Sequence, residues 1–232
     1  MTVKVPSKSG GDFSAYVALP VRPGPAVVVI QEIFGANANI RSICDFLAAR
    51  QFVAIAPDLY WRTKPGLEFD PATQSEEARA TRAKTDDNLA SHDVAATMEF
   101  IKKHPHCTGR AGVTGYCWGG MISYLTAVRH KPEAAVCYYG VGIEKHLDKA
   151  KDLACPTMFH FAGQDQFAGP EVAAKVKETF AGDKRVIVHE YPKSGHAFAR
   201  QGGAHWDAKA ADLAEMRTIS FLVEHLFGPR GR

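Results

Sequence analysis

The chain has no long apolar run and no paired cysteine framework. No window reaches the length of a membrane-spanning helix, and the stretch from Met1 to Leu19 is polar where a secretory signal would be apolar. The five cysteines form an odd set without paired spacing, as expected where thiols stay reduced. These absences predict a soluble, cytoplasmic protein without disulfides.

Concentrated charge is also missing. The formal net charge is +3 over 232 residues, and Lys and Arg are scattered, so the basic stripe of a nucleic-acid-binding protein is absent. The segment 104–107 (His-Pro-His-Cys) contains possible metal ligands, but its spacing matches no zinc pattern and favours a solvated loop. We expect a monomer that binds no metal, no nucleic acid and no membrane.

The composition predicts one globular domain over residues 1–232, since 46% of the residues are hydrophobic and no linker-like stretch divides the chain. Apolar runs of strand length alternate with segments of helical periodicity. The predicted strands are 25–31, 52–56, 109–114, 134–139, 157–162 and 185–191. The predicted helices are 39–50, 92–103, 118–129, 171–180 and 204–226.

This alternation is typical of the α/β class, in which a mostly parallel sheet is covered by helices on both faces. Residues 61–87 interrupt it with prolines and many charged residues. Because ligands in such folds bind beyond the carboxyl ends of the strands, we expect this segment to form a cap-like insertion over that edge.

A cysteine between two glycines follows the strand predicted at 109–114. The sequence from Gly115 to Gly119, Gly-Tyr-Cys-Trp-Gly, matches the nucleophile elbow, with Cys117 in the usual place of serine. The glycines are needed because side chains there would meet neighbouring backbone in a tight turn. The helix N-terminus that follows favours a thiolate, and the Trp118 N–H can face a developing oxyanion. A buried structural cysteine is the alternative interpretation.

Two later strands end in candidates for the rest of a catalytic triad. His196 lies in a loop after the last predicted strand and is the candidate base, with His205 as its competitor. Asp165 follows the preceding strand, where a carboxylate can fix the histidine tautomer, although an aspartate there also forms turns. The order Cys117, Asp165, His196 is that of the α/β-hydrolase fold, which we therefore predict.

Glu32 and Ile33 follow the first predicted strand, where this fold supplies a second oxyanion donor. We expect the Ile33 N–H to be that donor. Glu32 is costly to bury without a partner at the end of an apolar strand, which favours a functional role over a surface salt bridge, the alternative.

Six stretches spread over nearly the whole chain resemble the dienelactone hydrolases, or carboxymethylenebutenolidases. They are residues 31–35 (Gln-Glu-Ile-Phe-Gly), 57–60 (Pro-Asp-Leu-Tyr), 115–120 (Gly-Tyr-Cys-Trp-Gly-Gly), 138–142 (Tyr-Tyr-Gly-Val-Gly), 163–165 (Gly-Gln-Asp) and 195–200 (Gly-His-Ala-Phe-Ala-Arg). The resemblance implies a cofactor-free hydrolase that opens 4-carboxymethylenebut-2-en-4-olide to maleylacetate in the catabolism of chlorinated aromatics.

The resemblance also implies roles for individual residues. Cys117, Asp165 and His196 occupy the positions of the family's triad. The residue at the position of Glu32 is held near the thiol and moves when substrate binds, helping to generate the thiolate. A carboxylate beside sulfur keeps the thiol protonated and less open to oxidation, which is consistent with such a device.

Recognition of the substrate carboxylate in this family relies on two arginines, whose planar forks suit bidentate binding. Arg200 matches one of them, while Arg79 and Arg82 both occur in the segment expected to supply the other. Either could instead lie on a solvated helix face. The aromatic residues that we expect to line the pocket are Phe34, Tyr139 and Phe167.

The expected ligand is therefore a small anionic lactone or ester, attacked by Cys117 to form a thioester. Trp118 departs from the family, in which we associate this position of the elbow with a smaller aliphatic residue. This departure leaves the exact substrate open. A broader carboxylesterase or thioesterase of the same fold is the first alternative. A thiol sensor without enzymatic activity is the second, since a fold alone does not fix a function.

Overall fold

Eight strands form a single sheet in the computed structural model, which describes residues 1–228. The strands are β1 (Thr2–Pro6), β2 (Asp12–Ala18), β3 (Gly24–Ile30), β4 (Val53–Pro57), β5 (Cys107–Tyr116), β6 (Ala135–Tyr138), β7 (Thr157–Ala162) and β8 (Val186–Tyr191). Their order across the sheet is β1-β2-β4-β3-β5-β6-β7-β8. β2 pairs antiparallel with β1 and β4, and all other pairs are parallel, so the predicted mostly parallel sheet is confirmed.

Helices cover both faces of the sheet, as predicted. They are α1 (Ala38–Ala48), α2 (Ser75–Ala83), α3 (Asp87–Lys102), α4 (Trp118–His130), α5 (Pro170–Thr179) and α6 (Ala208–Phe227), with a 3₁₀ helix at Ile143–Asp152. Apolar residues of α3, α4 and α5 join one core cluster, and those of α1 and α6 join the other.

The two core clusters meet the sheet on opposite faces because side chains alternate along each strand. In β3, Val28 and Ile30 belong to one cluster, whereas Val27 and Val29 belong to the other. Every residue of β3 and β4 is buried, as expected for central strands covered on both sides. The predicted α/β-hydrolase architecture is therefore present, and it brings the carboxyl ends of the parallel strands to one edge.

The structure adds elements that the sequence interpretation missed. β1 and β2 occupy the polar N-terminal stretch, where Phe13, Ala15 and Val17 alternate with more exposed residues and are buried. α3 begins at Asp87, earlier than the predicted 92, because the Asp86 carboxylate accepts hydrogen bonds from two N–H groups of its first turn. No helix within residues 1–228 is long and apolar enough to cross a membrane.

The interrupting segment 61–87 consists of turns followed by α2. Its turns are tied to the end of β4, since the Gly66 N–H donates to the Asp58 carboxylate at 2.7 Å. Its middle approaches the loop after β3, where the Phe69 N–H donates to the Phe34 carbonyl at 3.0 Å. The segment therefore lies next to the loop that carries Glu32 and Ile33.

Candidate active site

Cys117 lies on the sharp turn between β5 and α4. It has φ 55° and ψ −119°, a left-handed conformation that a non-glycine residue rarely adopts. A Cβ on Gly115 would lie 2.0 Å from the Gly119 carbonyl oxygen, and a Cβ on Gly119 would lie 2.5 Å from the Gln31 carbonyl oxygen. Both glycines are therefore required by close backbone approach, as the elbow pattern predicted.

His196 and Asp165 meet across the ends of two neighbouring strands. The His196 Nδ1 lies 2.7 Å from the Asp165 Oδ2, so the carboxylate orients the ring. The other carboxylate oxygen, Oδ1, accepts from the N–H groups of Phe167 at 2.7 Å and Ala168 at 3.1 Å. Cys117 and His196 face the same cleft, and Cys117 contributes to raising the pKa of the imidazole. The three residues predicted as a triad are thus brought together.

The electrostatics of this group favour a protonated imidazole. Burial of His196 opposes its charged form, but the hydrogen bond with Asp165 and the nearby Cys117 outweigh burial and raise its pKa to about 10. Burial also opposes ionisation of Asp165, yet hydrogen bonds from His196 and from two backbone N–H groups lower the pKa of that carboxyl. The imidazole ring therefore carries a proton at neutral pH.

The loop after β3 packs against the elbow. Gly119 leaves space for the carbonyl groups of Ile30 and Gln31, which brings the loop that begins there against the start of α4. The Tyr60 hydroxyl donates to the Ile33 carbonyl at 2.8 Å and so holds this loop from the other side. Neither the Ile33 nor the Trp118 N–H donates a hydrogen bond to another residue of 1–228. Both remain available to an oxyanion, although their role stays a prediction.

Glu32 and Arg200 form a partly buried ion pair on the wall of the cleft that Cys117 also lines. The Arg200 Nη1 donates to the Glu32 Oε2 at 3.1 Å, and the two side chains are 13% and 3% exposed. The Glu32 Oε1 and the Arg200 Nε are buried with no hydrogen-bond partner. The Arg200 guanidinium also lies over the Phe34 ring, 5.2 Å from its centre. This pair joins two positions 168 residues apart, which no sequence pattern could have indicated.

A cleft of about 1010 Å³ opens above these residues. Its walls include most of the predicted site residues, namely Glu32, Ile33, Phe34, Arg79, Arg82, Cys117, Trp118, Phe167, His196 and Arg200. His205, the competing histidine, also lies on the wall, but it is His196 that holds Asp165.

Tyr139 differs from the prediction. Its side chain is fully buried and lies behind His196, with ring centres 5.2 Å apart, instead of on the wall of the cleft. The residue follows the last position of β6, and its ring packs inward against Phe198 at 5.5 Å. Aromatic residues at strand ends commonly join the core in this way.

The two candidate arginines of α2 lie in different environments. The Arg82 Nη2 is 2.6 Å from the Asp87 Oδ1, and its guanidinium lies 4.7 Å from the centre of the Trp118 ring. The Trp118 Nε1 donates to the same Asp87 oxygen at 2.8 Å. Arg79 is exposed on the rim, 5.9 Å from the Phe167 ring centre. Sequence reasoning missed Asp87, because nothing local to it indicates that it would meet the elbow.

The chain is similar to known dienelactone hydrolases over nearly its whole length. The sequence model of the dienelactone hydrolase family matches residues 13–226. A carboxymethylenebutenolidase of Pseudomonas sp. (strain P51) is 37% identical over 95% of this chain and 93% of its own length. The carboxymethylenebutenolidase of Pseudomonas putida is 36% identical over 95% of each chain. A crystal structure from Klebsiella pneumoniae subsp. pneumoniae MGH 78578, assigned provisionally as a dienelactone hydrolase, superposes with a TM-score of 0.83 at 27% identity, covering 97% of this chain and 98% of that one.

Proposed function

Because the chain belongs to the dienelactone hydrolase family, a family of hydrolases, we propose that it opens small lactones or enol esters that carry a carboxylate, such as dienelactone. The product of dienelactone would be maleylacetate. The observation that carries the proposal is the hydrogen bond of His196 with Asp165 beside a cleft that both His196 and Cys117 line, with Cys117 on the turn of the elbow.

In the first half of the reaction, the Cys117 thiolate attacks the ester carbonyl carbon. The negative charge that develops on the carbonyl oxygen is held by the Ile33 and Trp118 N–H groups. Collapse of this intermediate breaks the ring C–O bond, leaves a thioester on sulfur and expels an enolate. An enolate is a good leaving group, so a thiolate suffices for lactones and enol esters.

In the second half, His196 takes a proton from water, which attacks the thioester carbonyl and releases the Cys117 thiolate. Asp165 holds the ring in the required tautomer and stabilises the imidazolium that forms. Because the pKa of His196 is raised to about 10, the ring carries a proton when substrate binds, gives that proton to the expelled enolate, and is then neutral when it accepts a proton from water.

Glu32 and Arg200 would connect substrate binding to activation. A substrate carboxylate binds Arg200 with the same charge-assisted hydrogen bonds that Glu32 uses in the free protein. Displacement of Glu32 leaves its carboxylate without a cationic partner in a buried position, where gaining the thiol proton is favourable. The thiolate would then be generated only when an anionic substrate is present.

The test compares wild-type protein with Cys117→Ala on pairs of lactones that differ only in a carboxylate. Wild-type kcat/KM should fall by about ten- to a hundredfold when the carboxylate is absent, and Cys117→Ala should be inactive on both. Equal turnover of the paired lactones would exclude anion recognition. Undiminished activity of Cys117→Ala would exclude Cys117 as the nucleophile.

A broader carboxylesterase or thioesterase is favoured by one specific observation. Arg200 and Arg82 are both already paired with carboxylates, those of Glu32 and Asp87, so neither can bind a substrate anion without giving up that partner. Turnover of a neutral aryl ester at or above that of an anionic lactone would support this alternative.

A further inference from the structure

Tyr139 carries a buried hydroxyl group that has no hydrogen-bond partner. The side chain is fully buried, and its Oη is one of the few side-chain polar atoms within residues 1–228 that lack a partner. Leaving a hydroxyl in this state costs about 1–3 kcal/mol, so such exceptions call for an explanation. The backbone of Tyr139 is also strained, with φ 35° in a non-glycine residue.

The preceding residue shows that the fold can satisfy such a group. Tyr138 is equally buried, but its hydroxyl lies 2.6 Å from the Thr218 Oγ1. Tyr139 follows the end of β6 with a left-handed backbone, so its side chain does not continue the alternation of the strand. The Tyr138 hydroxyl is held under α6, whereas Tyr139 packs against the His196 ring at 5.2 Å. Of the two tyrosine hydroxyl groups, the one that lacks a hydrogen-bond partner therefore belongs to the residue that packs against the active site.

Other unpartnered buried groups lie on that same side. The Glu32 Oε1 has no partner although its Oε2 binds Arg200, and the Arg200 Nε has none. Burial raises the pKa of the Tyr139 hydroxyl well above its usual range, and the Glu32 carboxylate raises it further. The phenol therefore keeps its proton at working pH and lies within electrostatic reach of that carboxylate.

We infer that the Tyr139 hydroxyl becomes the hydrogen-bond partner of the Glu32 carboxyl group when a substrate anion draws Arg200 away. This inference rests on the proposed function, in which Arg200 leaves Glu32 for the substrate. A displaced Glu32 needs a new hydrogen-bond partner in a buried site, and the phenol can donate to a carboxylate or accept from a neutral carboxylic acid. Tyr139 touches no substrate atom in this scheme and is a positioning residue for Glu32.

The first experiment measures alkylation of Cys117, which does not require lactone turnover. Iodoacetate carries a carboxylate that can engage Arg200, whereas iodoacetamide is similar in size and neutral. Each reagent alkylates the thiolate at its CH₂ carbon, forming a C–S bond with loss of iodide. In Tyr139→Phe, the iodoacetate rate at Cys117 should fall about tenfold relative to wild type, because the displaced Glu32 loses its partner. The iodoacetamide rate should stay within about twofold.

Tyr138→Phe is the matched control, since it removes one hydroxyl from an equally buried neighbouring tyrosine. Both of its alkylation rates should remain near those of wild type. If Tyr139→Phe alkylates with iodoacetate as fast as wild type, the inference is overturned, whatever the lactone assays show. Equal slowing with both reagents also overturns it, because that result points to a structural effect on the elbow.

A second measurement separates this role from general damage. With an anionic lactone, Tyr139→Phe should lower kcat about tenfold and leave KM within about twofold, and adding this change to Glu32→Gln should have no further effect. Additive losses in the double variant would contradict a shared role. Failure of the wild-type protein to open lactones would count against the proposed function alone, because the alkylation comparison remains decisive for Tyr139.

Discussion

The cleft has a proposed reaction side, around Cys117, Asp165 and His196, and a proposed recognition side, around Arg200 and Arg82. Different interactions fix the residues of each side. On the reaction side, Cys117 is fixed by close backbone contacts at Gly115 and Gly119, and Asp165 is fixed by two backbone N–H groups. On the recognition side, Arg200 and Arg82 are held by the carboxylates of other side chains. Backbone contacts permit one geometry, whereas ion pairs can exchange one anion for another.

This difference suggests how one fold can keep its chemistry and change its substrate. Moving Cys117 would require repacking of the strand-to-helix turn against β3, whereas Arg200 needs only a competing carboxylate to release Glu32. We therefore expect substitutions on the reaction side to affect all substrates alike. Those on the recognition side should act selectively on anionic substrates.

Asp165→Asn should have the largest effect. The amide can still fill the site but cannot stabilise the imidazolium or fix its tautomer, so kcat should fall by roughly 10⁴-fold on every substrate. Steady-state kinetics on an anionic lactone and a neutral ester measure the loss. A loss confined to the anionic lactone would break the distinction between the two sides.

Arg200→Gln should lower kcat/KM by about ten- to a hundredfold for anionic lactones and leave neutral esters within about threefold. Because the variant leaves Glu32 buried without its cation, its free energy of unfolding is measured alongside as the control for destabilisation. Equal losses on both substrates in a variant that remains folded would place Arg200 in the chemistry and not in recognition.

The raised pKa of His196 predicts a pH-dependent stability on the reaction side. A folded-state pKa of about 10, above the unfolded value near 6.5, means that the folded protein holds this proton more tightly. The stabilisation is complete below about pH 6.5 and is lost as the pH rises to about 10.

Denaturant unfolding of wild type and His196→Gln between pH 6 and 10 measures this effect. The difference in their free energies of unfolding should shift against the wild type by about 4 kcal/mol across that range, since one pKa unit corresponds to about 1.4 kcal/mol. A difference that is constant with pH would contradict the raised pKa of His196.

Arg82→Gln should have the smallest effect, about two- to fivefold in kcat/KM for anionic lactones, because Asp87 already neutralises this arginine. Arg79→Gln on the same helix is the matched comparison. A larger loss for Arg79 would assign anion binding to the exposed rim. A tenfold or greater loss for Arg82 would mean that the Asp87 pair opens when substrate binds.

The sequence predicted the reaction side better than the recognition side, for a physical reason. Gly115, Cys117 and Gly119 are required by one local turn, so their spacing is visible in the chain, and Asp165 and His196 follow strands with clear apolar runs. The Glu32 pair with Arg200 depends on how distant loops pack, which no local pattern records.

The lack of a local pattern also explains the errors in the prediction of the fold. β2 was missed because two of its buried positions are Ala15 and Ala18, which weaken the alternation of large apolar residues. The start of α3 was placed too late because Asp86 and Asp87 were interpreted as part of a charged loop, whereas Asp86 is the cap. Tyr139 was assigned to the pocket although its ring packs behind His196.

The central claim is that Cys117 forms a thioester with the substrate. Rapid quenching of His196→Gln with an anionic lactone, followed by mass spectrometry of the Cys117 peptide, tests it directly. We predict an adduct with the mass of the intact lactone, because ring opening expels no separate leaving group, and no such adduct in Cys117→Ala. Product formation by wild type without an adduct on Cys117 in either protein would contradict the account.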